Sequence, residues 1–474
     1  MSDNKSEIIQ QEINKAINYL GQNKFSEAEE VCNQIINDNE NSDAFHILAS
    51  IKIYKQEFDE SVRLVKKALE INSSNPGYYV TLGCAYSAAH KYKESIDAFK
   101  GAIKINDKIA QVHFYLGESY RKLKKYNDAI SSFYKTLELS PDHIGAHMLL
   151  GCVYQEKKQF DLSVKSFKTC IDIMPEYAEA HINLGLVYLL VGDYDNGWRE
   201  YEWRRKLIKH ESDQLSKEWT GQNLEGKNLL ILDEGSDANL INFIRFAREL
   251  KKDNCNIILQ CGEQAHALME KQPWIDSVVS PDMFPEHDYY IYVGSLMNSL
   301  KLNPNNVSQD FPYIQPVREN IDIIKKNKLN IGLVLESDRD SSAHDDESID
   351  DKYFDKIFSI THNVISLDRY IDSKNLTSLY NHKYDYSNLD ELSKIIVNLD
   401  LVITIDHIIA HLAGALNVDT FLMIPCVPNW RWEISHRNTT PWYKSVKIFR
   451  QDIPDDWASV VKKVKEELNE INNG

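Results

Sequence analysis

At 474 residues the chain is too long for a single hydrophobic core, and two or three domains are expected. Its 54 Lys+Arg against 71 Asp+Glu give a net charge of −17 with no basic block, which argues against nucleic acid as the main partner. No apolar run reaches the length of a membrane span, the opening MSDNKSEIIQ has no apolar signal region, and the seven cysteines are scattered without a CxxC, so a reduced, cytoplasmic protein is expected.

The first part of the chain is periodic. Gly83, Gly117, Gly151 and Gly185 stand 34 residues apart, and a tyrosine follows each three residues later: Tyr86, Tyr120, Tyr154 and Tyr188. A second ladder, Tyr92, Tyr126, Phe160 and Tyr194, keeps the same spacing of 34 and extends back to Phe58 and, one residue short, to Phe25. Pro141 and Pro175 close two of the units. Two independent ladders of one period signal a repeated supersecondary unit. The small residue lets two helices cross closely, and the aromatic plugs the turn between them.

This pattern resembles the tetratricopeptide repeat, and the resemblance implies a superhelical array of about six helix-turn-helix units within residues 1–207. It also implies a concave groove lined by the first helix of each unit. In this register the groove positions are Phe114, Glu118 and Arg121, then Met148, Cys152 and Gln155, then Glu179 and Ile182. The family holds peptides or partner proteins there; a spacer or oligomerisation surface is the alternative. The asparagine ladder by which O-GlcNAc transferases clamp a peptide backbone is matched only by Asn183, with Thr81, Tyr115 and Leu149 at the other places.

The array ends in VGDYDNGWREYEWRRKL, where Trp198, Tyr201 and Trp203 share a helix side with Arg199, Arg204, Arg205 and Lys206 interleaved. This reads as an aromatic face docking the array onto the next domain, with Trp198 and Trp203 buried. Residues 208–226 are polar and read as a linker. Beyond it, apolar strands alternate with helices. Strands are expected at 228–233, 257–260, 277–280 and 289–293 in one sheet, within a first Rossmann-like lobe at 227–317. A second lobe at 318–474 takes strands at 331–335, 364–367, 401–405, 420–424 and 446–449 and the final helix.

The densest stretch is DLVITIDHIIAHLAGAL, Asp400 to Leu416. A buried strand runs straight into a helix, with Asp406 as the expected N-cap. Such a junction aims free N–H groups and a positive dipole end at the sheet edge, which suits a phosphate. An ordinary buried strand–helix–strand unit is the alternative.

Several motifs together resemble bacterial proteins that join tetratricopeptide repeats to a heptosyltransferase-like (family 9 type) glycosyltransferase domain. They are GDYxxGWxEYEWR from Gly192, the series Trp219, Gly221, Leu224, Gly226, Lys227, the Asp400–Leu416 stretch, and then PNWRW (Pro428–Trp432), PWY (Pro441–Tyr443) and FRQ (Phe449–Gln451). The resemblance implies an α/β GT-B fold of two Rossmann-like lobes after an all-α array. It implies a nucleotide-sugar donor as the small-molecule partner; no other cofactor and no metal are expected, a carboxylate-bound Mg2+ on the acidic loop being the weaker alternative. The donor would lie on Asp406, His407, Ile408, His411, Trp430 and Trp432. The final helix would cross back to the first lobe.

Three departures qualify the expected activity. The family loop E-Q-G-x-G-D reads EGSDAN here: Ser236 and Ala238 replace glycines, and Asn239 takes the place of the candidate base. An amide cannot accept a proton near neutral pH, so Asp237 or Glu234 would have to substitute. The loop after the first strand of the second lobe, Gly332 to Ser348, is acid-rich with Arg339 its one certain cation, and reads as a solvated surface. His407 stands where the family has Thr. The sequence therefore supports either a glycosyltransferase acting on an acceptor recruited by the array, or a catalytically degenerate transferase domain serving with the repeats as a scaffold.

Overall fold

The computed structural model describes residues 2–38, 40–208, 215–251, 254–304, 306–308, 310–315, 318–336, 348–354, 357–358, 362–367, 379–380, 387–434 and 437–473. Among the described residues twelve helices come first: α1 Ser2–Gly21, α2 Phe25–Asp38, α3 Ser42–Tyr54, α4 Phe58–Ile71, α5 Pro76–Ala88, α6 Tyr92–Ile105, α7 Ala110–Lys122, α8 Tyr126–Leu139, α9 Ile144–Glu156, α10 Phe160–Ile173, α11 Ala178–Leu190 and α12 Tyr194–Tyr201. They pair in sequence as helical repeats. The aromatic ladder supplies the first residue of every second helix: Phe25, Phe58, Tyr92, Tyr126, Phe160 and Tyr194.

The glycine ladder is explained by close approach. A Cβ at Gly83 would lie 2.4 Å from the ring of Phe99, one at Gly117 2.5 Å from Phe133, and one at Gly151 2.5 Å from Phe167. Those three rings are fully buried. At Gly185 the obstacle is backbone, Tyr201 N at 2.8 Å. The turns within the pairs share a second device, a left-handed residue at Asn23, Gln56, His90, Lys124, Lys158 and Gly192, with φ between 56° and 86°. Five of these carry a side chain, a conformation disfavoured for L-residues.

The chain divides into two compact units, Met1–Ala180 and His181–Gly474, so the division falls inside α11 and the last helix pair belongs to the second unit. There the strands are β1 Lys217–Glu218, β2 Asn228–Leu232, β3 Asn256–Gln260, β4 Ser277–Val279, β5 Tyr289–Tyr292, β6 Leu329–Leu333, β7 His362–Ser366, β8 Leu379–Tyr380, β9 Leu401–Thr404, β10 Thr420–Ile424 and β11 Val446–Arg450. The helices are α13 Asp237–Ile244, α14 Ala247–Leu250, α15 Glu263–Glu270, α16 Leu296–Ser299, α17 Leu389–Ile396, α18 Ile408–Ala415 and α19 Trp457–Asn473. One sheet runs β1-β5-β2-β3-β4 and the other β11-β10-β9-β6-β7-β8. Every ladder within these sheets is parallel. The central strands are buried on both faces, as their unbroken apolar runs require.

Two features depart from the sequence reading. Part of the 208–226 linker is sheet: β1 pairs with Tyr289–Tyr290, Trp219 N donates to Tyr290 O at 2.8 Å, and Trp219 and Leu224 are buried. Its polar composition hid a short edge strand, while residues 209–214 lie outside the described residues. Helix α19 packs on β10, β11 and the turn Asp351–Phe354 instead of crossing to the first sheet; Trp457, Val460, Val461, Val464 and Leu468 form its buried stripe. Most of the acid-rich loop, including Arg339, lies outside the described residues. Among the described residues no helix is long and apolar enough to cross a membrane.

Candidate functional site

The second unit brings the candidate donor residues to one region but uses most of them internally. After β9 the chain turns through Ile405, Asp406 and His407 into α18, which the half-buried Ile408 opens. The N-cap is His407, not Asp406: its backbone is extended (φ −146°, ψ 160°) and its Nδ1 accepts from Ile409 N at 3.3 Å. A neutral His407 ring therefore carries its proton on Nε2. Asp406 sits one residue too early to cap, and its Oδ1 lies 3.9 Å from His411 Nε2. His411 is fully buried, stacks on Trp432 at 5.1 Å and meets the Tyr443 hydroxyl through Nδ1 at 2.9 Å. Burial first, then the charges of Arg431 and Arg245, hold this imidazole well below its usual range, so it stays neutral.

Trp430 and Trp432 are likewise buried. Trp430 packs edge-on against Trp198 at 5.1 Å and parallel to Phe243 at 6.0 Å. Their ring faces meet other rings, so they build a core instead of a stacking platform for a base. Trp198 is the hub of that core: it is buried as expected, and its Nε1 donates to Leu302 O at 3.1 Å. Trp203 differs from expectation. It is half-buried and stacks on His181 at 3.7 Å, with Lys206 Nζ 3.9 Å above its ring. Helical geometry turns it away from the face that Trp198 and Tyr201 share.

The loop after β2 is also engaged. Ser236 caps α13 through its hydroxyl, which accepts from Asn239 N at 3.4 Å. The Asn239 amide oxygen accepts from Arg431 Nη2. Glu234 forms a buried ion pair with Arg204, Nη2 to Oε1 at 2.7 Å, and Arg204 also meets Glu202 Oε1 at 3.1 Å and Ser295 Oγ at 3.0 Å. Burial opposes the Arg204 charge, but Glu234 and Glu202 outweigh it and keep it protonated. Gly294 is required beside this pair, because a Cβ there would lie 2.6 Å from Glu234 Oε2.

One acid in this loop was missed from sequence. Asp233, at the carboxyl end of β2, is pushed up to about 6 by burial and by the charge of Asp237, although Glu234 N donates to it at 2.8 Å. Burial raises Asp237 as well. The signal available was its place as the first acid after a buried strand. Among the described residues no group of acids, histidines and cysteines is arranged to hold a metal.

In the first unit, the groove positions of α7 and α9 are half-buried: Phe114, Glu118, Arg121, Met148, Cys152 and Gln155. Phe114 lies 4.7 Å from the His143 ring, and a Cβ at Gly145 would lie 3.1 Å from Phe114. Arg121 pairs with Glu156 at 3.1 Å, a cross-helix bridge the sequence reading did not include. Glu118 is raised above the usual carboxylate range by burial, which outweighs the nearby Arg121. On α11, Glu179 is exposed and Ile182 half-buried.

These helices define a class. Residues 37–145 match the C-terminal ARM domain of tetratricopeptide repeat protein 21, and residues 144–177 match the tetratricopeptide repeat itself. The N-terminal part of the chain is a tetratricopeptide-type repeat array. Among solved structures the chain is similar to MamA, at 22% identity over 34% of this chain and 93% of that one with a TM-score of 0.32. It is similar to TTC0263, a thermophilic repeat protein of Thermus thermophilus, at 16% identity over 38% and 100% with a TM-score of 0.33. It is also similar to pilF of Pseudomonas aeruginosa, at 16% identity over 44% and 95% with a TM-score of 0.40. No curated protein matches the chain.

Proposed function

We propose that this chain is a protein-binding scaffold: the repeat groove holds a peptide segment of a partner, and the two-sheet unit is a GT-B-like transferase domain that has lost its chemistry. The observation that carries this reading is the engagement of the transferase positions. Asn239 is spent on Arg431, Glu234 on Arg204, and Trp430, Trp432 and His411 on an internal aromatic core. Restoring an aspartate at 239 would place a carboxylate against the Arg431 guanidinium, where pairing lowers its basicity. The groove supports the binding half. Phe114 and Met148 offer apolar area beside a desolvated Glu118, which would reward a partner cation with a charge-assisted hydrogen bond.

A second reading has one observation in its favour. Asp233, held up to about 6 at a sheet edge beside Asp237, has the poise of an acid–base residue, and a glycosyltransferase on a nucleotide sugar would use it there. The two readings separate in a thermal-shift screen of the full chain. Nucleoside diphosphates and nucleotide sugars at millimolar concentration are expected to give no shift; a bound donor at a hundredfold excess would add about 2.7 kcal/mol. In parallel, peptides selected on the full chain should be lost from Phe114→Asp and Glu118→Gln variants. Donor binding with turnover that Asp233→Asn abolishes would replace the scaffold reading with the enzyme.

A further inference from the structure

The carboxyl end of α13 holds a cation with no counter-charge. Arg245 is buried at 6% exposure, and only Nη1 is satisfied, donating to Trp442 O at 2.5 Å. Its Nε and Nη2 have no hydrogen-bond partner, and among the described residues no carboxylate lies within ion-pair distance. Aromatic rings cover the group: Phe246 at 4.7 Å, Tyr313 at 5.4 Å, Tyr443 at 5.5 Å and Trp442 at 5.6 Å from the guanidinium carbon. Rings attract a guanidinium through its faces but leave its in-plane N–H groups unsatisfied. The unsatisfied edge, Nε with Nη2, is itself buried, and it has the fork geometry that takes a carboxylate or phosphate in two parallel hydrogen bonds. An arginine buried without such a partner is costly.

The same arginine lines a cavity of about 340 Å³. Arg248, one turn further on, brings a second cation to its wall and pairs with no carboxylate among the described residues. Asn306 and Ser308 add neutral polar groups. Glu249 and Asp310 also line it, so the cavity suits a ligand with an anionic head and a body rich in hydroxyl or amine donors. Its volume falls within the range of small-molecule sites. The eight residues of α13 put Arg245 about 12 Å along the helix from its N-cap Ser236.

We propose that this cavity is a binding site for a small oxyanion-bearing metabolite, with the phosphate or carboxylate seated on Arg245 and Arg248. The site does not depend on the scaffold reading, since its residues belong neither to the groove nor to the candidate donor set.

The test is calorimetric titration of the full chain with inorganic phosphate and, separately, with malonate, at constant ionic strength made up with chloride. At least one anion should bind at millimolar concentration or below. Arg248→Ala, at a half-buried position, should fold normally and weaken binding about tenfold. Arg245→Lys keeps the charge but loses the fork and should weaken it at least as much. A stronger response to phosphate marks a phosphorylated ligand, and a stronger response to malonate a carboxylate; either supports the site. The proposal is overturned if neither anion binds, or if both bind the Arg248→Ala and Arg245→Lys chains as tightly as the wild type. A fall in melting temperature of Arg245→Lys without anion binding by the wild type would make Arg245 an aromatic clamp and nothing more.

Discussion

The two units of this chain resolve the same problem, burying apolar surface, in opposite ways. In residues 1–180 the solution is local and repeated: each of the glycines 83, 117 and 151 receives a phenylalanine ring from the next helix, and the formal charge is near balance at −3. Residues 181–474 carry the remaining −14 yet bury the cations Arg204, Arg245 and Arg431. Among the described residues, the buried side-chain atoms without a hydrogen-bond partner lie almost wholly in this second unit, with Arg121 Nε the exception. Repetition satisfies every position by the same neighbour. A two-sheet α/β unit has unique junctions, and there buried polar groups go unpaired.

The largest effect on this contrast is expected at Arg204. Arg204→Met leaves the almost fully buried Glu234 as an uncompensated acid, while Glu202 keeps Arg205, and should cost the second unit about 3–5 kcal/mol. Denaturant unfolding of the full chain, followed by tryptophan fluorescence, should lose only the transition of the Trp-rich second unit. A loss under about 1 kcal/mol would mean the pair is solvated and the junction ordinary.

Gly117→Val tests the first unit, again by denaturant unfolding. Its Cβ would start 2.5 Å from the Phe133 ring, and displacing a fully buried ring should cost about 3 kcal/mol, read from far-UV circular dichroism. A neutral outcome would show that the repeat stack relaxes freely and that its packing is not what distinguishes it.

Asp233 extends the contrast to pH. Its folded value of about 6 lies above the ordinary 3.8, so the folded state holds this proton more tightly. The residue's favourable contribution is complete below about pH 4 and is lost as pH rises through 6. Asp233→Asn should therefore stabilise the second unit by up to about 2 kcal/mol at pH 7.5, with the gain vanishing near pH 4. A pH-independent effect would remove Asp233 from the list of poised acids.

The smallest effect is expected in the array turns. Lys158 is exposed at φ 58°, and glycine relieves that conformation while gaining freedom in the unfolded chain. Lys158→Gly should raise the stability of the first unit by about 0.5 kcal/mol, measurable as a small rise in melting temperature. A loss would show that the side chain of Lys158 contributes more than its backbone costs.

The array and the division of the main strands between two sheets were legible in the chain's own pattern. A 34-residue ladder of glycine and aromatic residues can satisfy only one helix crossing, and unbroken apolar runs such as Leu401–Ile405 fit only buried parallel strands. Motif spacing also placed Trp198 in a core. What it did not decide is which polar residues remain available. Asn239 reads as a failed base, but only the tertiary structure puts it on Arg431, 192 residues away. His407 takes the cap from Asp406 because a single backbone dihedral decides which residue is last outside the helix. Arg245 reads as an ordinary helix-end cation until five rings from three separate stretches close on its faces and leave its buried fork unpaired. Periodicity is a local property of the chain, whereas the satisfaction of a buried polar group depends on partners that sequence distance does not reveal.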